Sequence, residues 1–440
     1  MSDLDLLREG GVVGGGGAGF PLWKKLSGKA DILLINGAEC EPLLLSDQYL
    51  MLHQAETLIR AAHRLKSIAG AQRVILCLKD HYQEQRFALE TAIRSTALPV
   101  ELHDLPTVYP IGDEQAVVHS ATGRTVSPGG LPGEAGCAVV SVSTALNAWA
   151  ALQGEPVTRR LLTVAGEVRR PGLYSVAIGT RLTDLVAAAG GETRSDVRFM
   201  LGGPMMGALV PKGANPAMLK TTGGVLAFPS EHPVILKGSL SMEHVRNRVK
   251  SVCIQCRTCT DLCPRFLLGH PIYPHLSMRA FAMGEKLEPS AALCMECGVC
   301  EQYACPMGLS PRRVQQQMKT ALRAKGERPV FSPLASLSPI AASRHVPSSR
   351  IAARIGVAMY QLPLPASVTE VVPTLVTLPL RQHIGVPAQA CVAVGDTVSR
   401  GQPIARMAPG ALGADLHASI DGAVTAVTAE EITLERTGDA

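Results

Sequence analysis

Two cysteine runs constrain this chain more than any other feature. Cys253, Cys256, Cys259 and Cys263 are spaced C-x2-C-x2-C-x3-C, with Pro264 following. Further on, Cys294, Cys297, Cys300 and Cys305 are spaced C-x2-C-x2-C-x4-C, with Pro306 following. In a duplicated pattern of this kind, three close thiolates hold one [4Fe–4S] cube and the fourth ligand crosses to the other cube. The spacing therefore assigns a first cube to Cys253, Cys256, Cys259 and Cys305. A second cube takes Cys294, Cys297, Cys300 and Cys263. Each proline lets the chain leave its cube in an extended or turning conformation. The second run has one residue more than usual before its last cysteine, which lengthens that loop and makes Cys305 the ligand to check. Zinc motifs pair C-x2-C units rather than tripling them. Disulfides suit short secreted chains, and this N-terminus, acidic and Gly-rich, does not read as a targeting peptide.

A chain of 440 residues holds roughly two to four domains. Aromatic residues are 4%, too few for a surface that stacks nucleic-acid bases. The net charge of +5 is too mild to imply a nucleic-acid partner. Eight of the 12 cysteines fall in the two runs, which predicts a reducing, cytoplasmic setting. The other four, Cys40, Cys77, Cys137 and Cys391, are expected to be buried free thiols. No run reaches the roughly 18 apolar residues of a membrane span.

The N-terminal third alternates strands and helices. Residues 3–9 read as a short helix or arm. Strands are expected at 31–35, 73–78, 98–102 and 137–142, with helical periodicity over 46–69 and 80–95. That order predicts a parallel α/β sheet. Before the first strand stands the glycine-rich stretch 10–21. Gly14, Gly16 and Gly19 satisfy G-x-G-x-x-G, but no strand precedes them, so the match to a dinucleotide fingerprint is formal. No Gly-Lys-Ser/Thr follows, which excludes a Walker loop. What the glycines do supply is backbone N–H groups that a ligand can approach closely. Polar clusters at 36–42 and 109–114 fall at or near strand ends, where open α/β sheets bind ligands.

The strings GGGGAGFP, NGAECEP, YPIGDEQAVVHSATGR and SVST resemble the flavin-binding domain of the 51-kDa subunit of respiratory NADH dehydrogenase, and more closely the C subunit of Rnf-type complexes. The resemblance implies a Rossmann-like domain with FMN along the glycine loop and NADH on its outer face. It implies a loop of Gly15, Gly17, Ala18, Gly19 and Phe20. Lys25 would meet phosphate or ribose groups. Asn36, Glu39, Gly112, Asp113, Glu114 and Thr144 would line the flavin. Three positions depart from the family: Gly15 replaces an arginine, Ala38 an acid and Ser141 an asparagine.

The segment 158–191 reads as a hairpin followed by a helix ended by Gly190-Gly191, and resembles the soluble-ligand-binding β-grasp module of the same families. The Gly-rich turns at 202–207 and 222–224 read as ordinary turns. The cysteine segment should be helical between its ligand loops, as in ferredoxin-type domains, with a Ser-capped helix at 310–325. The C-terminal stretch resembles a biotinyl/lipoyl-type barrel-sandwich. It has no lysine at its hairpin tip, and none after Lys325, which excludes a covalent carrier role. The expected fold is thus α/β multidomain. Its parts are a flavin domain (1–155), a β-grasp domain (156–238), a helical two-[4Fe–4S] domain (239–325), a linker (326–372) and a barrel-sandwich (373–440).

In the Rnf C subunit the barrel, with a string like Leu380-Arg381-Gln382-His383-Ile384-Gly385, stands at the N-terminus. Here the string stands near the C-terminus, which is similar instead to the cobalamin reductases of propanediol-utilisation microcompartments. That resemblance implies an NADH-dependent reductase acting on cobalamin, and as partners a corrinoid adenosyltransferase and a microcompartment shell protein. A homo-oligomer is a further expectation. Two other readings stay open: a peripheral NADH:ferredoxin subunit, and a non-catalytic conduit across a shell. Hydride donors deliver two electrons, whereas a cluster accepts one. A flavin between them converts one mode to the other. The expected order is NADH, FMN, the first cube, the second cube, then the corrinoid.

Overall fold

The computed structural model describes residues 1–284, 287–332 and 336–437. The N-terminal domain grows from one unbroken apolar run. In strand β1 (Ile32–Gly37), Leu33 and Ile35 are buried in one core, and Ile32 and Leu34 in another. A strand buried on both faces belongs inside a parallel sheet. Strands β2 (Arg73–Lys79), β3 (Glu101–Leu105), the two-residue β4 (Val108–Tyr109) and β5 (Cys137–Ser141) follow. The sheet order is β3-β2-β1-β5, with every pair parallel. The chain steps outward from β1 to β3, then returns to the far side of β1. That reversal between β1 and β5 is a topological switch point, where such sheets leave a crevice.

Around this sheet lie α1 (Asp3–Glu9), α2 (Leu22–Leu26), α3 (Ser46–His53), α4 (Ala55–Ile68), α5 (Gln83–Thr96), α6 (Glu114–Thr122) and α7 (Val142–Leu152). Helix α6 packs Val117 and Val118 on Ile32 and Leu34, while α4 and α7 cover Leu33 and Ile35. The periodicity over 46–69 resolves into two helices, because the backbone leaves helical geometry at Gln54. The third strand starts at Glu101 rather than 98. Pro99 has no N–H for the ladder, so pairing begins with Ile75 opposite Glu101.

The second domain is a mixed sheet in which Arg159–Gly166 lies between Gly172–Ala177 and Gly224–Pro229, with helix Leu182–Ala188 packed on it. The cysteine domain gathers helices Met242–Val252, Pro274–Met283 and Pro311–Ala324 around Val245, Val249, Met278, Val314 and Met318. Pro311 does open its helix. Ser310, however, makes no side-chain cap bond, because its ψ of 65° lies outside the extended geometry a cap requires.

The stretch expected as a linker carries structure. Val346–Pro347 pairs antiparallel with β4, Ser348–Arg354 is a helix with Ile351 and Ala352 buried, and Thr369–Val371 extends the second sheet beside Gly172–Ala177. The C-terminal domain folds as two small sheets, 375–379/431–436/422–427/397–398 and 389–390/403–406/416–417. Its Leu378, Ile404 and Leu416 belong to the same apolar cluster as Leu7, Leu22 and Ala148, so the end of the chain returns to its beginning. Among the described residues no helix is long and apolar enough to cross a membrane.

Candidate flavin and iron–sulfur sites

The two cysteine runs fold as near-copies. Gln255 and Glu296, each two residues after the first cysteine of its run, have positive φ (53° and 64°). So do Arg257 and Gly298, each one residue after the second cysteine (64° and 82°). Left-handed residues turn successive amides toward one concavity. The Glu296 amide donates to Cys294 Sγ at 3.4 Å, and the Leu309 amide to Cys305 Sγ at 3.4 Å.

Each run frames its own cavity. Cys253, Cys256, Cys259 and Cys305 line one; Cys294, Cys297, Cys300 and Cys263 line another. The last cysteine of each run has thus crossed to the other run's cavity. The extra residue before Cys305 is absorbed by a π-helical turn, Val299–Ala304. A π turn closes one residue later than an α turn. It therefore accommodates x4 where x3 would take an α turn. Burial pushes the Cys259 and Cys294 thiols up to about 12, so loading either cavity has to displace protons from its sulfurs. Four sulfurs around a recess, with amides directed at them, fit a cube.

The cavities differ in setting. Cys297 and Cys300 are buried, whereas Cys256 is exposed. The buried cavity abuts the flavin domain. Tyr109 donates its hydroxyl to the Cys297 carbonyl at 2.7 Å and to Glu41 Oε1 at 3.3 Å. Arg265, two residues past Cys263, forks onto both oxygens of Asp113 at 2.7 and 2.9 Å, with both side chains 11% exposed. Removing either partner of such a buried pair costs about 3–5 kcal/mol, because the other charge is left unpaired. The expected order of the cubes is therefore reversed. The site of Cys294, Cys297, Cys300 and Cys263 is the one beside the flavin domain, and that of Cys253, Cys256, Cys259 and Cys305 is the one near solvent.

The twelve candidate flavin residues lie around the carboxyl edge of the sheet. The Gly15 amide donates to Thr144 Oγ1 at 2.8 Å, which seats the glycine loop on the first turn of α7, at the switch point. Asn36 donates to the Gly112 carbonyl at 2.9 Å and so ties the 109–114 loop across the end of β1. Gly16, Gly17 and Ala18 are exposed, and their amides have no acceptor among the described residues. A Cβ at Gly16 or Gly17 would meet nothing within 4 Å. Phe20 is half-buried, and Gly19 packs against Thr221 and His383. Bare amides on an open, side-chain-free loop fit a flavin phosphate.

The charged candidates are already engaged. Lys25 Nζ contacts Glu114 at 2.5 Å and the Val139 carbonyl at 2.9 Å. Asp113 caps α6 as well as holding Arg265. Glu39 accepts from the amides of Asp47 and Gln48 at 2.9 and 3.1 Å, so it caps α3 from outside. Desolvation first, and the nearby Asp47 charge second, push the Glu39 carboxyl up to about 7. Glu41, likewise raised to about 7 by desolvation, accepts from the Met205 amide at 2.9 Å.

Several contributing residues were not singled out from sequence. Arg160 donates to the carbonyls of Gly15 (2.7 Å) and Thr222 (3.0 Å), and its guanidinium fills the space a side chain at Gly15 would take. The 202–207 turn contacts the buried cavity's loop: Arg312 donates to the Met205 carbonyl at 2.6 Å. Ile384, in the Leu380–Gly385 string, donates its amide to the Ala18 carbonyl at 2.8 Å. Arg265 had a sequence signal, a cation directly after a Cys-Pro pair. Arg160 had no such signal, standing beside Arg159 at the start of its strand.

Anaerobically reconstituted protein is expected to hold about eight irons, two cubes of four, and a Cys256→Ala variant about four. Iron analysis with electron paramagnetic resonance checks both. Zinc alone, or loss of both signals in the variant, would break the assignment.

Comparison with known proteins bears on all four parts. Family models match residues 7–150 (Nuo51 FMN-binding domain), 161–209 (SLBB domain), 252–310 (4Fe-4S dicluster domain) and 366–439 (RnfC barrel sandwich hybrid domain). The domain composition gives FMN and two [4Fe–4S] clusters as cofactors. The chain is 45% identical over 435 residues to the cobalamin reductase PduS of Salmonella typhimurium, covering 98% of this chain and 95% of that one. Identity to the Citrobacter freundii protein of that name is 44% over the same length. Identity to the C subunit of a proton-translocating ferredoxin:NAD(+) oxidoreductase complex from Clostridium ljungdahlii is 32%, covering 60% of this chain and 56% of that one.

Proposed function

The chain belongs to the family of these cobalamin reductases, and from that premise we propose that it carries electrons from NADH through FMN and two [4Fe–4S] clusters to cobalamin, lowering cobalt from Co(III) towards Co(I) for adenosylation. The observation that carries this reading is the order of sites: flavin domain, buried cluster cavity, exposed cluster cavity. When bound, FMN takes a hydride's two electrons and releases them singly, and each cluster passes one at a time. The chain's own residues hold the path together. Gly16, Gly17 and Ala18 offer amides to the flavin phosphate. Arg265 and Tyr109 clamp the buried cavity's loops to the flavin domain. The low exposure of Cys297 and Cys300 keeps water from that junction. The acceptor approaches at Cys256. A corrinoid adenosyltransferase is the natural recipient of the reduced corrinoid, and the setting is a propanediol-utilisation microcompartment with a shell protein as neighbour. The reading as a peripheral part of a membrane complex is disfavoured by the relatives, because the protein from such a complex is matched over only 56% of its length.

The test is anaerobic purification followed by NADH addition with hydroxocobalamin present. Bleaching of flavin and clusters, then conversion of the corrinoid spectrum to Co(II), is expected. Flavin and cluster reduction with no corrinoid change would overturn cobalamin as the acceptor and leave an NADH-driven electron carrier with a different one.

The C-terminal barrel takes part in this reading without being a carrier. Its Ile384 amide holds the Ala18 carbonyl, and Trp23 Nε1 donates to the Gly413 carbonyl at 2.7 Å. Ile384→Pro removes that N–H, a loss of about 1 kcal/mol. FMN affinity, read by fluorescence titration, is expected to weaken about fivefold with iron content unchanged.

A further inference from the structure

We propose that the surface over the exposed cluster cavity is a docking face for an acidic protein that carries a one-electron acceptor. The inference rests on the reading above that electrons leave from the site of Cys253, Cys256, Cys259 and Cys305. Ile254, 65% exposed, and Met307, 37% exposed, stand at the cavity mouth beside exposed Cys256. Isolated exposed apolar residues are ordinary. Here they sit together over a redox site, beside a helix and loop whose charges are mostly positive.

From Met242 to Asp261 the chain carries Arg246, Arg248, Lys250 and Arg257 against two carboxylates, Glu243 and Asp261. Arg246 and Lys250 are exposed one turn apart on helix Met242–Val252, whose Val245 and Val249 face the core. Arg248, on the other flank, donates to the Met307 carbonyl at 3.2 Å and so stands at the mouth itself. Arg257 is exposed and partly offset by Asp261 at 3.5 Å.

An apolar centre with a charged rim is the anatomy of a protein interface. A small ligand needs a concave site, and the recess formed by these mouth residues is the one the cluster itself fills. A cationic rim raises the encounter rate of an anionic partner and loses that effect as salt screens it. The proposed occupant is therefore a protein with an acidic face, and free corrinoid gains nothing from these charges.

The test uses NADH-reduced holoprotein under anaerobic stopped flow with three oxidants: flavodoxin as the acidic protein, cytochrome c as the basic one, and hydroxocobalamin as the small acceptor. The second-order rate with flavodoxin should fall about tenfold as salt rises from roughly 20 to 200 mM, while that with hydroxocobalamin stays level. Arg246→Glu with Lys250→Glu should lower the flavodoxin rate about as much at low salt, with iron content and the hydroxocobalamin rate unchanged. Neither residue touches a cysteine. Ile254→Ser, probing the apolar centre, should slow flavodoxin at every salt concentration. The proposal is overturned by a flavodoxin rate indifferent to salt and to the charge reversal. It is also overturned by a cytochrome c rate that falls with salt as flavodoxin's is expected to, or by tight binding to phosphatidylglycerol vesicles through the same cations. If hydroxocobalamin is not reduced by the parent protein, the proposed function fails, while the flavodoxin arm still reads the docking face.

Discussion

Cobalamin reduction in a Cys297→Ala variant is expected to fall at least roughly tenfold, a rise in barrier of about 1.4 kcal/mol, while NADH still bleaches the flavin. The reason is position. Cys297 is buried, and its carbonyl takes the Tyr109 hydroxyl at 2.7 Å, so the cavity it lines is the one in contact with the flavin domain. Loss of that cluster opens a gap between the flavin and everything downstream. A Cys256→Ala variant interrupts the path at its far end instead. There the flavin and the buried cluster should both be reduced by NADH, and only delivery should suffer. Anaerobic stopped flow, following flavin, cluster and corrinoid absorbance together, separates the two. If the Cys297 variant reduces corrinoid at the parent rate, the clusters lie off the path and the flavin reaches its acceptor directly. If cluster reduction is lost in Cys256→Ala and kept in Cys297→Ala, the order along the path is the opposite of the one the geometry supports.

What the sequence made legible was chemistry held in short spacings. The cysteine runs named eight residues and the crossed pairing, because ligand geometry is local and the fourth ligand's crossing follows from it. Strands buried on both faces were legible as apolar runs. What stayed hidden was long-range. Nothing in the spacing says which cavity faces the flavin domain, since that depends on Arg265 meeting Asp113 across 152 residues of chain. The glycine loop and the Leu380–Gly385 string were each conspicuous, yet their contact between Ala18 and Ile384 is made by backbone atoms and leaves no residue signature. Val346–Pro347 read as linker because a two-residue strand is too short to show alternation, and its place beside β4 is fixed by the helix that follows. Glu39 and Glu41 fall in the polar cluster at the end of the first strand, and the sequence offers a ligand as their partner. Their real partners are amides of Asp47, Gln48 and Met205, which sequence does not display.

Two glycines of one loop are expected to fail in different ways. At Gly17 φ is +64°, and a Cβ would meet nothing within 4 Å. Gly17→Val therefore costs only the left-handed backbone penalty of about 1–2 kcal/mol, within what a domain tolerates. The new side chain projects from the loop's open side, beside the free amides of Gly16 and Ala18. FMN affinity should drop at least roughly tenfold, about 1.4 kcal/mol, while iron content and thermal midpoint stay near the parent's. At Gly15 a Cβ would lie 2.7 Å from both Arg160 Nη1 and Ser143 Oγ. These are buried groups, and Arg160 braces the loop through the Gly15 carbonyl. Gly15→Val must push that guanidinium off its acceptors, so it should lower the thermal midpoint as well as the FMN affinity. Fluorescence titration with FMN and a melting curve on each variant separate the outcomes. Parent-like FMN affinity in Gly17→Val would mean that the flavin does not lie on the open side of this loop. An unchanged melting curve in Gly15→Val would mean that Arg160 is free to move, and that the loop is held chiefly from the barrel side, through Ile384 and Trp23.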